Sequence, residues 1–275
     1  MDNYYYSKVG EGVPITQRRE IISRLNEMLL QELPQYKEQA KPFIGDIDSE
    51  RWLLRSLMNV RPPMPVQDDF LILQNMLLAQ EREERGVVEA AVLPTTTNPR
   101  IVLWQGDITR LKVGAIVNAA NSAMLGCFVP CHRCIDNAIH SAAGIQLRQE
   151  CHRIMKNQGS EEPTGDAKIT AGYKLPAKYV LHTVGPIISG PLTQTGCVEL
   201  ASCYQACLSL AEEHGIASIA FCCISTGEYH FPRQKAAEIA VQTINDFLCT
   251  NEKLQKVVFN VFTQEDWGIY KNLLL

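Results

Sequence analysis

Apolar residues recur at helical spacing three times in the first third of the chain. Ile21, Ile22, Leu25, Met28, Leu29 and Leu33 form one stripe, which stops at Pro34. Trp52, Leu53, Leu57 and Met58 form a second, with Asp48 as its expected N-cap and the breaker RPPMP at 61–65 behind it. Phe70, Leu73, Met76, Leu77 and Gln80 form a third, opened by Asp68 as cap and closed by Gly86. Residues 1–93 therefore read as a helical N-terminal extension without a catalytic motif. After the turn-rich link PTTTNPR the pattern changes. Strands are predicted near 101–104, 115–118, 168–173, 178–183, 217–223 and 257–262, and helices near 135–157, 198–214 and 233–249. This alternation predicts an α/β domain over 100–275 with a largely parallel sheet, whose crossovers bring the loops after the strands to one edge.

Composition narrows the picture by exclusion. A chain that is 46% hydrophobic and 20% charged is an ordinary globular protein. Its net charge of −4, with Lys and Arg scattered, gives no electrostatic case for nucleic acid. No stretch reaches the roughly 18 apolar residues of a membrane span, and MDNYYYSKVGEG lacks the basic and apolar regions of a signal peptide. A cytoplasmic protein with reduced cysteines is expected. Of its ten cysteines, Cys197, Cys203, Cys207, Cys222, Cys223 and Cys249 fall in apolar patterns and read as small core residues.

The candidate chemistry lies between Trp104 and His140. Ala115, Ile116 and Val117 read as a buried parallel strand with Asn118–Asn121 at its C-terminal end, where open α/β sheets place ligands. Immediately beyond, Cys127, Cys131, His132 and Cys134 fall within eight residues, a donor set suited to zinc. Cys131 to Cys134 also spells C-x-x-C, but without the surroundings of a redox motif. Cys151 and His152 read as surface or core residues. Ser225-Thr226-Gly227-Glu228-Tyr229, between a buried strand and a helix starting near Arg233, can aim backbone N–H groups at a phosphate, although such residues also simply make loops.

Four motifs in order, GDIT at 106–109, IVNAAN at 116–121, GDAKITAGYKLPAKYVLHTVGP at 165–186 and ISTGEYHFP at 224–232, resemble the macrodomain family over about residues 100–270. With GCFVPCHRC at 126–134, the chain looks most like the zinc-containing protein-ADP-ribose hydrolases of bacteria and fungi. The resemblance implies a three-layer α/β/α fold with a mixed, largely parallel sheet and an ADP-ribose cleft at the strand ends. It gives Asp107, with Ile108 alongside, the adenine amine; Asn121 the distal ribose; and Ser225, Thr226, Gly227, Glu228 and Tyr229 the pyrophosphate and that ribose. Cys134, Ile135 and Asp136 would line the same ligand, and Asn118 would pair loop backbone.

The group's Cys-x4-His-x-Cys arrangement maps to Cys127, His132 and Cys134 around one catalytic zinc, leaving Cys131 aside. A closed site using all four residues remains the alternative. Asn121 and Asp136 are the expected catalytic residues, with the general base open between Asp136 and a metal-activated water. The resemblance thus implies removal of mono-ADP-ribose from protein carboxylates. A lipoyl-carrier protein modified by a sirtuin-class transferase is the implied partner. A non-catalytic ADP-ribose reader and an ADP-ribose 1″-phosphate phosphatase are the alternatives.

Overall fold

The computed structural model describes residues 15–275, so the N-terminal stretch 1–14, on which the signal-peptide reading bears, lies outside the described residues. The apolar stripes of the first third become α1 (Ile15–Glu32), α3 (Ile47–Val60) and α4 (Asp68–Arg85), with a short α2 (Lys37–Ala40) between the first two. Ile22, Leu25, Leu29, Leu54, Leu57, Phe70 and Leu77 bury one another in a single cluster, which reaches Ile145 of the following domain. The caps differ from expectation. Asp46, not Asp48, caps α3, accepting the Ser49 N–H three residues on at 3.0 Å, and Asp48 falls in the first turn. Gln67 precedes α4 without a side-chain bond, and Asp68 and Asp69 in the first turn complement the positive end of the helix dipole. Trp52 is not on the buried face of α3 but 46% exposed.

In the second half, β1 (Val88–Glu89) pairs with β3 (Leu111–Lys112), while β2 (Ile101–Gln105) and β4 (Ala115–Ala120) enter the main sheet. Next come α5 (Ile135–Ala143), α6 (Ile145–Gln158), β5 (Ala167–Ala171), β6 (Tyr179–Val184), α7 (Gln194–Glu213), β7 (Ser218–Phe221), α8 (Arg233–Thr250), β8 (Lys256–Val261) and α9 (Gln264–Leu274). The six-stranded sheet runs β2-β8-β7-β4-β6-β5, parallel except for β5 at one edge. It is an α/β fold with a mixed, mostly parallel sheet preceded by helices. The single helix expected over 135–157 breaks at Gly144, whose φ of 95° ends α5. Helix α7 begins at Gln194 rather than 198, because Thr193 caps it. Cys203, Cys207 and Cys222 are core residues as expected; Cys197 and Cys223 are only half-buried and Cys249 is exposed. All ten cysteines are free.

Candidate active site

Five parallel strands end at one edge of the sheet; the loops after β2, β4 and β7 carry expected site residues, and Gly185 after β6 packs against Ser225. Adjacent parallel strands β4 and β7 place Asn121 and the 222–231 loop side by side, while β2 delivers Asp107 three strands away. At one interstrand spacing per step that is about 14 Å, the reach of an elongated ligand rather than of one sugar ring.

At the β2 end, Asp107 caps a short 3-10 turn: its Oδ1 accepts from the Thr109 N–H at 2.9 Å and from the Thr109 hydroxyl at 2.7 Å. Its Oδ2 lies 3.6 Å from Arg85 Nη1, at the last turn of α4. Ile108 is buried behind it. Asp107 is therefore a turn residue that keeps its second oxygen at the half-open rim.

At the β4 end, Asn121 turns its amide nitrogen to the Gly126 carbonyl at 3.3 Å, while its Oδ1 is buried with no hydrogen-bond partner among the described residues. Gly126 has a φ of 79°, and a Cβ there would stand 2.9 Å from the His140 ring, so only glycine lets the loop pass. Across the edge, Ser225 sits at a φ of 62° with its Oγ buried and equally unpartnered. A Cβ on Gly185, after β6, would come within 2.0 Å of that oxygen. The Tyr229 carbonyl accepts the Ile188 N–H at 2.9 Å and the Ser225 carbonyl accepts the Phe231 N–H at 2.9 Å, so the loop is tied at both ends with Thr226, Gly227 and Glu228 at its tip.

Between these loops Cys127, His132 and Cys134 converge: their donor atoms lie within 4.8 Å of one another, all three half-buried. Cys127 Sγ is 3.7 Å from His132 Nδ1, close to the about 3.6 Å edge of a tetrahedron with ordinary Zn–S and Zn–N bonds. Cys134 is also the N-cap of α5, its sulfur accepting from the Asn137 N–H at 3.4 Å. Burial pushes its thiol up to about 12, helped by the charges of Cys127 and Asp136 and opposed by the Asn137 N–H. A dication held by these residues would instead favour the thiolate. The donor chemistry and spacing fit zinc. Cys131 does not join them: its φ is 50°, and its sulfur turns to the Ser56 hydroxyl at 3.3 Å. Glu228 Oε1, on the phosphate-type loop, lies 3.7 Å from His132 Nε2. Burial and the charges of Asp136 and Cys134 raise the Tyr229 phenol. Ile135, half-buried, opens α5 beside Cys134.

Asp136 faces inward rather than to solvent. Its Oδ1 accepts from Asn118 Nδ2 at 2.8 Å and stands 3.5 Å from His140 Nε2, one helical turn on. Burial raises its carboxyl to about 6, against the Asn118 bond and the Arg148 charge. Asn118 does not pair loop backbone. The β4–β6 register sets it opposite His182, whose Nδ1 it meets at 3.1 Å. An amide nitrogen only donates, so His182 Nδ1 accepts and its Nε2–H points at Thr170 Oγ1, 2.9 Å away. Burial lowers the His182 pKa to about 3, and burial with His182 and Arg148 holds His140 well below its usual value, so both rings are neutral. His140, Cys151 and His182 form a second buried trio within 4.8 Å. With both His182 nitrogens engaged, this trio reads as a hydrogen-bonded core rather than a metal centre.

Sequence reasoning missed this network and the contacts from the extension. One part was legible: Asp136 and His140 stand at i, i+4 on a single helix.

Comparison with known proteins agrees with the arrangement. The family described as Macro domain matches residues 117–240. A protein-ADP-ribose hydrolase of Treponema medium is 54% identical over 253 residues, covering 91% of this chain and 96% of that protein. Among solved structures, a macrodomain of Oceanobacillus iheyensis with ADP superposes with a TM-score of 0.58 at 39% identity, covering 62% of this chain and 88% of its own. A Trypanosoma brucei macrodomain in complex with ADP-ribose gives 0.62 at 30% identity, over 79% and 94% of the two chains. Matched along nearly the whole length of such a relative, the chain belongs to the macrodomain family.

Proposed function

We propose that the protein is a hydrolase that removes mono-ADP-ribose from modified protein side chains, Asp and Glu esters in particular. The observation that carries this reading is the pairing of a buried, unpartnered Asn121 oxygen with the Cys127/His132/Cys134 trio on the loop that Asn121 itself holds. A reader module has use for the first and none for the second. The Treponema medium relative, named for this activity, supports it. In this reading adenine lies at Asp107 and Ile108, the pyrophosphate against Ser225–Tyr229, and the distal ribose at Asn121. Zinc held by Cys127, His132 and Cys134 would supply a Lewis acid beside that ribose. Asn121 orients the ribose hydroxyls, its amide both donating and accepting. Asp136, aligned by Asn118, orients water or a hydroxyl on the other side. Glu228, 3.7 Å from His132 Nε2, borders the trio. The proposal treats 100–275 as the catalytic domain and 1–93 as its helical extension.

Among the described residues no helix is long and apolar enough to cross a membrane. The ten free thiols suit the reducing cytoplasm that the proposal assigns.

The deciding assay measures free ADP-ribose released from a carboxylate-modified protein, a lipoyl-carrier protein among the substrates, beside serine- and arginine-linked controls. Release from the ester alone is the expected result. Tight ADP-ribose binding with no release from any linkage would leave only the reader. The adenine assignment has its own check. Asp107→Asn keeps an oxygen for the Thr109 cap but removes the charge, and should weaken ADP-ribose by about 1.5–3 kcal/mol in calorimetry. Unchanged affinity would take Asp107 out of the site.

A further inference from the structure

The loop that carries the metal-type ligands has no regular structure of its own between Leu125 and Cys134, and its backbone is held by residues of α3 and α5. Helix α3 has two faces. Leu53, Leu54, Leu57 and Met58 enter the helical core. Trp52, Arg55, Ser56 and Asn59, at i, i+3, i+4 and i+7, form a second stripe that meets the cysteine loop.

Asn59, Ser56 and the Trp52 carbonyl contact the loop directly, and Arg55 contacts Asn137 of α5, which holds the loop. Asn59, 2% exposed, accepts the Cys131 N–H on its Oδ1 at 2.9 Å and donates from its Nδ2 to the Ser141 hydroxyl at 3.0 Å. Arg55 Nη2 donates to Asn137 Oδ1 at 2.9 Å, and Asn137 in turn donates its side-chain N–H to the Val129 carbonyl and its backbone N–H to Cys134 Sγ. The Ser56 hydroxyl and the Trp52 carbonyl meet Cys131 Sγ. Arg148 of α6 closes the arrangement. It donates from Nε to the Leu125 carbonyl at the start of the loop, and from Nη1 to the Met58, Asn59 and Arg61 carbonyls at the C-terminal end of α3.

The strained residue lies at the centre. Cys131 holds a φ of 50°, which a side-chain-bearing residue keeps only where its surroundings fix it, and it immediately precedes His132. The Asn59 acceptor is what receives its N–H.

We propose that Asn59, from the helical extension, is a positioning residue of the metal centre: by holding the Cys131 N–H it sets the spacing at which Cys127, His132 and Cys134 meet. The proposal rests on the metal-centred reading above. It also gives the helical extension a task beyond packing its own core.

The test uses the full chain. Zinc affinity is measured by competition with a chromophoric chelator, the cobalt(II)-loaded protein is examined by absorption, and ADP-ribose affinity is measured on metal-free protein. Asn59→Ala should bind zinc at least ~10-fold more weakly, the usual cost of losing a group behind the ligands. It should also shift the cobalt ligand-field bands and leave ADP-ribose affinity unchanged. Asn59→Asp, which keeps the acceptor, should return zinc affinity and spectrum toward those of the unaltered chain. If Asn59→Ala does not fold, Asn59→Ser, one bond too short to reach the Cys131 N–H, carries the same expectation. Wild-type zinc affinity and spectrum in the Ala or Ser variant would overturn the positioning role, as would an Asp variant no better than Ala. An unaltered chain that takes up no zinc would overturn the metal-centred reading itself, and the positioning role with it.

Discussion

Cys127→Ala is expected to lose both metal and hydrolysis in a protein that stays folded. Two thiolates and one imidazole are the whole donor set the loop brings together, so removing one leaves two ligands, too few for tight zinc binding. The fold does not depend on them. Ile116, Val117, Leu181, Val257 and Phe259 are fully or almost fully buried in the sheet core, and a domain of this size needs no metal staple. His132→Ala and Cys134→Ala should behave alike, with a small extra loss of helix stability in the second because its sulfur caps α5. Cys131→Ala should keep both metal and activity, since its sulfur faces Ser56 rather than the trio. Elemental analysis, turnover and circular dichroism on all four variants decide the matter. Full activity in a folded, metal-free Cys127→Ala protein would defeat the zinc mechanism. Metal loss in Cys131→Ala would point to the closed four-ligand site.

Asn121→Ala should lower kcat by ~100-fold or more while changing ADP-ribose affinity little, because misplacing a reacting group costs rate more than binding. The reason is the unpaired Oδ1. A buried amide oxygen without a partner is poised for a ligand hydroxyl, and a bond made to the reacting sugar counts most when the geometry must be held in the transition state. Asn121 also ties the Gly126 carbonyl, so metal content has to be followed in the same variant. Equal losses in kcat and binding would mean uniform binding only. Loss of metal along with rate would place its action on the loop.

The extension helices could be read from the Leu stripes because amphipathic periodicity is local. Their caps could not, since Asp46 and Asp48 are chemically identical and only the backbone path at residue 46 decides between them. Strand positions were legible and strand order was not. Nothing local says that β2 pairs with β8, 156 residues on in the Ile101↔Val257 register, rather than with β4. The Asn121 and Ser225 loops were readable as motifs. The Asn118–His182–Thr170 chain was invisible because its members meet only through the β4–β6 and β5–β6 registers. The direction of Cys131 was not legible either: its backbone, at a φ of 50°, carries the sulfur to Ser56 and outside the Cys127/His132/Cys134 trio.

Helices α3 and α4 meet the two ends of the cleft separately, Asn59 at the cysteine loop and Arg85 at Asp107 and Thr109. If Asn59 positions the metal centre as proposed, mutational tolerance in the first third of the chain is governed by catalysis as well as by packing. A substitution that lets α3 slide within its own core, without unfolding anything, would then be scored as an enzymatic defect. A selection for activity would mark as intolerant a set of helix positions outside the proposed substrate contacts.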